Sequence, residues 1–77
     1  MSSVKQRRAQ AVVDRLLARG ERIALVRNEH SQECELFFYP SWDAASLSSV
    51  ATAIYYGNLR PAGETVLGDV PVEFWGA

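Results

Sequence analysis

The chain begins with a polar segment that carries apolar side chains at helical spacing. The apolar positions are Ala9, Val12, Val13, Leu16 and Leu17. They form one stripe along a helix. Ser3 and Gln6 fit a capping box before the stripe, and Gly20 is a suitable C-cap after it. The pattern therefore predicts a first helix over residues 3–19.

Two segments that follow this helix have the pattern of β-strands. Residues 21–28 contain a continuous apolar run, and residues 33–39 combine acids with apolar and aromatic side chains. The polar residues 29–32 between them are typical of a hairpin loop. Pro40 ends the second segment. The two segments are therefore predicted to pair as antiparallel strands.

A second helix is predicted after Pro40. Ser41 is placed to cap its start, and Gly57 and Asn58 mark its end. The positions predicted to face the core are Leu47, Val50, Ala51 and Ile54. The positions predicted to face largely away from it are Ser46, Ser48, Ser49 and Thr52.

Two interpretations stay open for the C-terminal segment. In one, residues 64–67 and 70–75 pair across the two-residue turn 68–69. In the other, only residues 70–75 form a strand. Residues 59–63 are a loop in both interpretations. Pro71 lacks an amide donor, which indicates an edge strand or the start of a strand.

The order of these elements predicts an α+β fold. We expect a two-layer sandwich in which an antiparallel sheet of three to four strands carries two helices on one face, in the order α-β-β-α-β. The fourth strand belongs to the first interpretation of the C-terminal segment. A chain of 77 residues predicts a single small domain, residues 1–77.

Composition adds an expectation about the compartment. Cys34 is the one cysteine, so no internal disulfide can form, and a reducing cytoplasm is expected. The polar N-terminus has no apolar signal region, and no uncharged run is long enough to cross a membrane. Cys34 is expected to point into the core as a small apolar group.

Charge is distributed unevenly along the chain. Residues 1–27 carry seven basic side chains against two acids, a balance of +5, and residues 28–77 carry one against seven, a balance of −6. The basic residues of the first helix suggest a phosphate-binding face. They are Lys5, Arg8, Arg15 and Arg19. The acidic pI of about 5.7 argues against a dedicated nucleic-acid binder.

Residues for catalysis or for metal and cofactor binding are few. His30 is the one histidine, and nothing places it beside the thiol of Cys34. One cysteine and one histidine cannot complete a tetrahedral Cys/His metal site within the chain. The glycines form no phosphate-binding loop. The sequence therefore predicts a non-enzymatic protein with no catalytic residues, no metal and no cofactor.

Strand alternation divides the side chains of the predicted sheet between two faces. The residues expected to face the core are Cys34, Leu36, Phe38, Val70, Val72 and Phe74. The residues expected on the opposite, acidic and aromatic face are Glu33, Glu35, Phe37, Tyr39, Glu73 and Trp75. An equally weighted alternative makes Phe37, Tyr39 and Trp75 ordinary core, covered by the N-terminal segment or by residues 59–63.

The leading interpretation is a protein-binding domain that acts as an inhibitor, adaptor or accessory subunit. Its acidic and aromatic face is expected to contact another protein with a basic surface. Small phage-encoded inhibitors, including anti-CRISPR proteins, act in this manner, although this is an analogy of function with no motif behind it. Two alternatives remain: a nucleic-acid-binding module that uses the first helix, and a self-associating homodimeric domain.

Overall fold

A computed structural model describes residues 3–28 and 33–77 of the chain, so the predicted hairpin loop lies outside the described residues. Within them the fold is α+β, with two helices and one five-stranded antiparallel sheet. The elements in chain order are α1 (Val4–Arg19), β1 (Arg22–Arg27), β2 (Cys34–Tyr39), β3 (Asp43–Ala44), α2 (Leu47–Tyr55), β4 (Arg60–Leu67) and β5 (Val70–Gly76).

The first helix begins and ends where its capping residues predict. The Gln6 amide donates to Ser3 Oγ at 3.1 Å, and the Ser3 amide donates to Gln6 Oε1 at 3.0 Å. Gly20 ends α1 in the left-handed region at φ 64°, where a residue without a Cβ is favoured. Leu17 was expected in the buried stripe, but its side chain lies on the solvent side at 69% exposure.

The sheet has more strands than the sequence predicted. Its order is β3-β2-β1-β5-β4, with every neighbouring pair antiparallel. The hairpin interpretation of the C-terminal segment is confirmed, with Gly68 in the turn at φ 64°. The prediction of a loop over residues 59–63 was wrong from Arg60 onward, because β4 starts there and absorbs Ala62 in a bulge between Pro61 and Gly63.

The central strand β1 sets which side chains share a face of the sheet. Residues directly opposite each other in neighbouring strands point to the same side. Ile23 lies opposite Phe38 and Trp75, and the three pack in one cluster with side chains of both helices. We call this side of the sheet the helix face. Its partly buried members include Leu25.

The predicted orientation of β5 was wrong. Val72 and Phe74 were expected beside Phe38, but they form a second cluster with Ala24 on the opposite side of the sheet. The expectation used Glu73 as a marker of the outer side. Glu73 instead lies on the helix face, where it lines an open cleft beyond the helices and keeps its access to water.

The second helix starts five residues later than predicted. Its N-cap is Ser46, whose Oγ accepts from the Ser49 amide at 3.4 Å. The buried positions of α2 are Ser49, Val50 and Ala53, whereas Leu47, expected in the core, is 63% exposed. Small side chains at the buried positions allow α2 to pack closely against α1.

The prediction that Cys34 points into the core was also wrong. Cys34 shares the helix-face side of β2 with Leu36 and Phe38, but it is exposed at the start of the strand. Its partner in the register is Arg27, the last residue of β1. The thiol therefore lies at the end of the hairpin, outside the buried cluster.

Candidate interaction surface

The side of the sheet opposite the helix face carries a continuous apolar surface. Among the described residues, no helix side chain belongs to the cluster on this side. We call it the aromatic face, and its members are Ala24, Val26, Phe37, Tyr39, Val72 and Phe74, with Trp42 packed on its margin. Ala24, Val72 and Phe74 are buried, while the other members of the face are accessible at least in part.

Four aromatic rings are in contact along this face. Tyr39 packs against Phe74 with ring centroids 5.0 Å apart and the rings tilted by 55°. Trp42 packs edge-on against Tyr39 at 5.4 Å and against Phe37 at 5.8 Å. Such edge-to-face pairs stabilise beyond their buried area, by about 0.5–1.5 kcal/mol each. The aromatic side chains therefore form a preorganised patch.

The sequence analysis did not predict that Trp42 packs against the aromatic face. Residues from 41 onward were assigned to a helix, but the chain turns back at Pro40 and pairs as β3 with β2. The Trp42 amide donates to the Phe38 carbonyl at 2.6 Å, and Trp42 lies in the left-handed region at φ 63°. A tryptophan three residues after Tyr39, across a proline turn, was the signal that could have suggested it.

The predicted contact residues divide between the two faces. Phe37, Tyr39 and Glu35 lie together on the aromatic face, as expected from their alternation in β2. Glu73 and Trp75 lie on the helix face, because their register partners in β1 are Leu25 and Ile23. The predicted single acidic and aromatic surface is therefore wrong in its C-terminal half.

Glu33 lies outside the strand that was expected to present it. It immediately precedes β2, and its carbonyl accepts from the Asn28 amide at 2.9 Å. It thus closes the end of the β1–β2 pair. The acid of the predicted set that a strand presents on the aromatic face is Glu35.

Opposite charges lie at opposite ends of the aromatic face. Arg22 is opposite Tyr39, and Arg60 is opposite Gly76, so both arginines lie at one end. Glu35 is opposite Val26, four residues along β1 from Arg22. Between these ends β1, β2 and β5 present apolar side chains, and β4 presents Thr65 opposite Val72.

Asp69 adds a second acid at the end that carries Glu35. Both residues line one shallow cleft of about 350 Å³, together with Val70. Arg27, which belongs to the other side of β1, also reaches this cleft. The cleft is therefore lined by two acidic residues and one basic residue.

Arg15 is engaged in an ion-pair cluster between α1 and the turn after β2. Its Nε donates to Glu21 Oε1 at 2.8 Å and its Nη2 donates to Asp43 Oδ2 at 2.6 Å. The guanidinium also stacks over Phe38, 3.8 Å from the ring centroid. The guanidinium of Arg15 therefore has partners within the chain, whereas Lys5, Arg8 and Arg19, the other residues of the alternative phosphate-binding face, stay exposed on α1.

The electrostatics of this cluster favour its charged state. The Arg15 guanidinium, and then the Ser41 hydroxyl that donates to Oε2 at 2.5 Å, hold the pKa of Glu21 below its ordinary value of 4.5. Hydrogen bonds to Glu21 and Asp43 raise the pKa of Arg15. The cluster ties α1 to the turn after β2.

An open cleft of about 630 Å³ lies on the helix face between β1, β5 and β4. Its polar wall contains Glu64 and Glu73, which are direct partners in the register, and its apolar wall contains Leu25 and Val66. Within residues 3–28 and 33–77, no group of three or more metal-ligating side chains comes together. His30 lies outside the described residues.

Neither helix of the described chain is both long and apolar enough to span a bilayer. A comparison of the chain with protein-family models, with curated proteins and with solved structures finds no match. Any assignment of function therefore depends on the geometry of the surfaces described above.

Proposed function

We propose that this chain is a non-enzymatic protein-interaction domain that binds through its aromatic face. The observation that supports the proposal is the contact cluster of Phe37, Tyr39, Trp42 and Phe74 on the side of the sheet that no described helix covers. Aromatic side chains carry a large share of the energy of protein interfaces, particularly where they are held rigidly. An inhibitor, an adaptor or an accessory subunit would use such a surface.

The finer arrangement behind this proposal is a two-layer fold with both helices on the helix face. Side chains of both helices pack there with Ile23, Leu36 and Phe38. In that arrangement the aromatic face lacks a second layer, so a partner can supply it. The free, exposed thiol of Cys34 fits a reducing compartment, and we place the protein in the cytoplasm.

The partner we infer differs from the basic protein expected from the sequence. With Glu73 on the helix face, the aromatic face is apolar in its middle and carries charges of both signs at its ends. A uniformly basic surface would meet Arg22 and Arg60 as well as Glu35. An apolar protein surface with charges of both signs at its margin is a better complement.

Affinity capture with matched variants tests the proposal. The wild-type chain and a Tyr39→Ala, Trp42→Ala double variant are immobilised, and proteins captured from the native host are identified by mass spectrometry. Tyr55→Ala is the control, since Tyr55 is an aromatic residue of α2 that is 81% exposed. Loss of a captured protein with the double variant alone supports the proposal, and loss with Tyr55→Ala alone overturns it.

A further inference from the structure

The aromatic face is complementary to a second copy of itself, and we propose that two chains associate through it as a two-fold symmetric dimer. This inference rests on the proposed function, because it names the partner of the same surface. Three properties of the face support it: its charged ends, its apolar middle and its size.

One orientation of the two-fold axis brings opposite charges together at the ends of the face. An axis that lies in the plane of the interface and crosses the strands at the level of Ala24 exchanges the two ends of the face. The end that carries Arg22 then lies over the end that carries Glu35 of the second copy, and the reverse contact forms by symmetry. The two residues are four positions apart along the strands, which is about 13 Å.

The outer strands extend the same pattern. Arg60 lies at the arginine end, at the start of β4, and Asp69 lies at the glutamate end, in the turn after β4. The same axis brings each of them toward the opposite charge in the second copy. A two-fold axis parallel to the strands would instead preserve the ends, so that basic ends would meet and acidic ends would meet.

The middle of the face supplies the apolar contact. Exposed or partly exposed side chains there belong to four strands and to the turn before β3, and they are Val26, Phe37, Tyr39, Trp42, Leu67 and Val70. Two sheets that pack face to face lie about 10 Å apart with their strands about 30° from parallel. Partly exposed aromatic and aliphatic side chains are of the size that fills such a gap.

The size of the face sets the expected affinity. Four long strands spaced about 4.8 Å apart, each about seven residues long, give a footprint of roughly 19 by 24 Å. That footprint is below the area of about 800 Å² per partner that is typical of stable complexes. We therefore expect a dimer with a dissociation constant in the micromolar range, in which the end charges set the orientation.

Charge exchange between the two ends tests the orientation directly. The Arg22→Glu variant carries acids at both ends of its face, and the Glu35→Arg variant carries arginines at both ends. In a dimer of either variant alone like charges meet, so the dissociation constant should rise at least about tenfold above that of the wild type. Mixed in equal amounts, the two variants should form a heterodimer with both end contacts restored. The Arg22→Glu, Glu35→Arg double variant should regain self-association.

Sedimentation equilibrium or light scattering between about 1 and 500 μM provides the measurement. Circular dichroism of each variant establishes that it is folded, and Arg8→Glu on α1 is the matched control, since it reverses a charge away from the face. A wild type that stays monomeric at 500 μM would overturn the dimer. The proposed function would survive that result if Tyr39→Ala, Trp42→Ala still abolishes capture of another protein.

Two further outcomes distinguish the geometry. A dimer that forms while mixed single variants stay dissociated would overturn the axis across the strands. A dimer that tolerates Tyr39→Ala, Trp42→Ala but is lost with Tyr55→Ala would place the contact on the helices and overturn the dimer proposed here, while the capture experiment would still decide the function proposed for the aromatic face.

Discussion

Glu64 of β4 lies directly opposite Glu73 of β5, with both side chains on the helix face of the sheet. Side chains opposite each other in an antiparallel pair are about 5 Å apart at Cβ, so the two carboxylates repel. Neither forms an ion pair within the described chain. The pair therefore costs stability in the β4–β5 pairing.

Replacing one of these acids by a base should stabilise the protein. We expect Glu64→Lys to raise the free energy of unfolding by about 0.2–1 kcal/mol, because it converts a like-charge pair into an opposite-charge pair. Chemical denaturation at low salt measures the change. Glu64→Gln removes the repulsion without adding an attraction, so its free energy of unfolding should lie between those of the wild type and Glu64→Lys. The gain in stability of both variants should shrink at 1 M salt. Destabilisation by Glu64→Lys would contradict the register.

Trp42 provides a test of backbone strain. At φ 63° a residue with a Cβ is disfavoured by about 1–2 kcal/mol relative to the right-handed region, and glycine is not. Trp42→Ala and Trp42→Gly both remove the contacts with Phe37 and Tyr39, so they differ in the backbone alone. We expect the glycine variant to be the more stable by about 1 kcal/mol. An alanine variant of equal or greater stability would contradict the left-handed conformation.

Cys34 should react as an accessible thiol. It is exposed at the start of β2, so alkylation of the folded protein should go to completion under native conditions, without denaturant. Cys34→Ser should change the free energy of unfolding by less than about 0.5 kcal/mol, as is usual for surface positions. Protection of the thiol until the protein is unfolded would show that Cys34 is buried, as the sequence alone suggested.

The first helix was predictable because its determinants are local. Ser3 and Gln6 cap the first turn of α1, and Gly20 caps its last turn. Each capping residue acts on its immediate neighbours, so the local sequence defines both ends of the helix. The start of α2 was not predictable in the same way. Ser41 and Ser46 are both suitable caps, and Ser41 is instead held by Glu21, twenty residues away in the sequence.

The faces of the sheet could be predicted from the sequence in β2 and not in β5. In β2 the acids and the buried side chains alternate, so Phe37 and Tyr39 could be assigned to one face from the pattern. In β5 the pattern misled, since Glu73 and Trp75 face a side of the sheet that the helices cover only in part. Which face of a strand is buried depends on how far the neighbouring layer extends, and no local periodicity encodes that distance.

Acid should weaken the cluster that joins Arg15 to Glu21. The pKa of Glu21 is lower in the folded chain than its ordinary value of 4.5, so the unfolded chain binds a proton first as the pH falls. The stabilisation from this carboxylate is therefore complete above pH 4.5 and is lost as the pH falls through the folded value. Arg15 stays protonated throughout, because its pKa is raised.

A comparison of wild type with Glu21→Gln isolates this contribution. Thermal melting between pH 7 and pH 2 should show the wild type as the more stable protein at pH 7, with the difference shrinking below pH 4.5. Arg15→Ala should lower the melting temperature more than Arg8→Ala, because Arg8 makes no ion pair in the described chain. A difference between wild type and Glu21→Gln that is independent of pH would contradict the ionised pairing.

Two adjacent phenylalanines should differ in their effect on stability. Phe38 is 7% exposed and packs in the cluster that contains both helices, under the guanidinium of Arg15. Phe38→Ala should therefore cost about 3–5 kcal/mol and bring so small a domain close to unfolding. Phe37 is partly exposed on the aromatic face, and Phe37→Ala should cost about 1–2 kcal/mol.

Thermal melting of the two variants should be done at about 5 μM protein, where a smaller fraction of the chain is dimeric than at 500 μM. At about 500 μM the wild type should melt at a higher temperature than at 5 μM, and Phe37→Ala should show a smaller increase, because its effect falls partly on the interface. If Phe37→Ala is the more destabilising variant at low concentration, the two faces of β2 are assigned in reverse. The aromatic face would then be the core of the protein and not its contact surface.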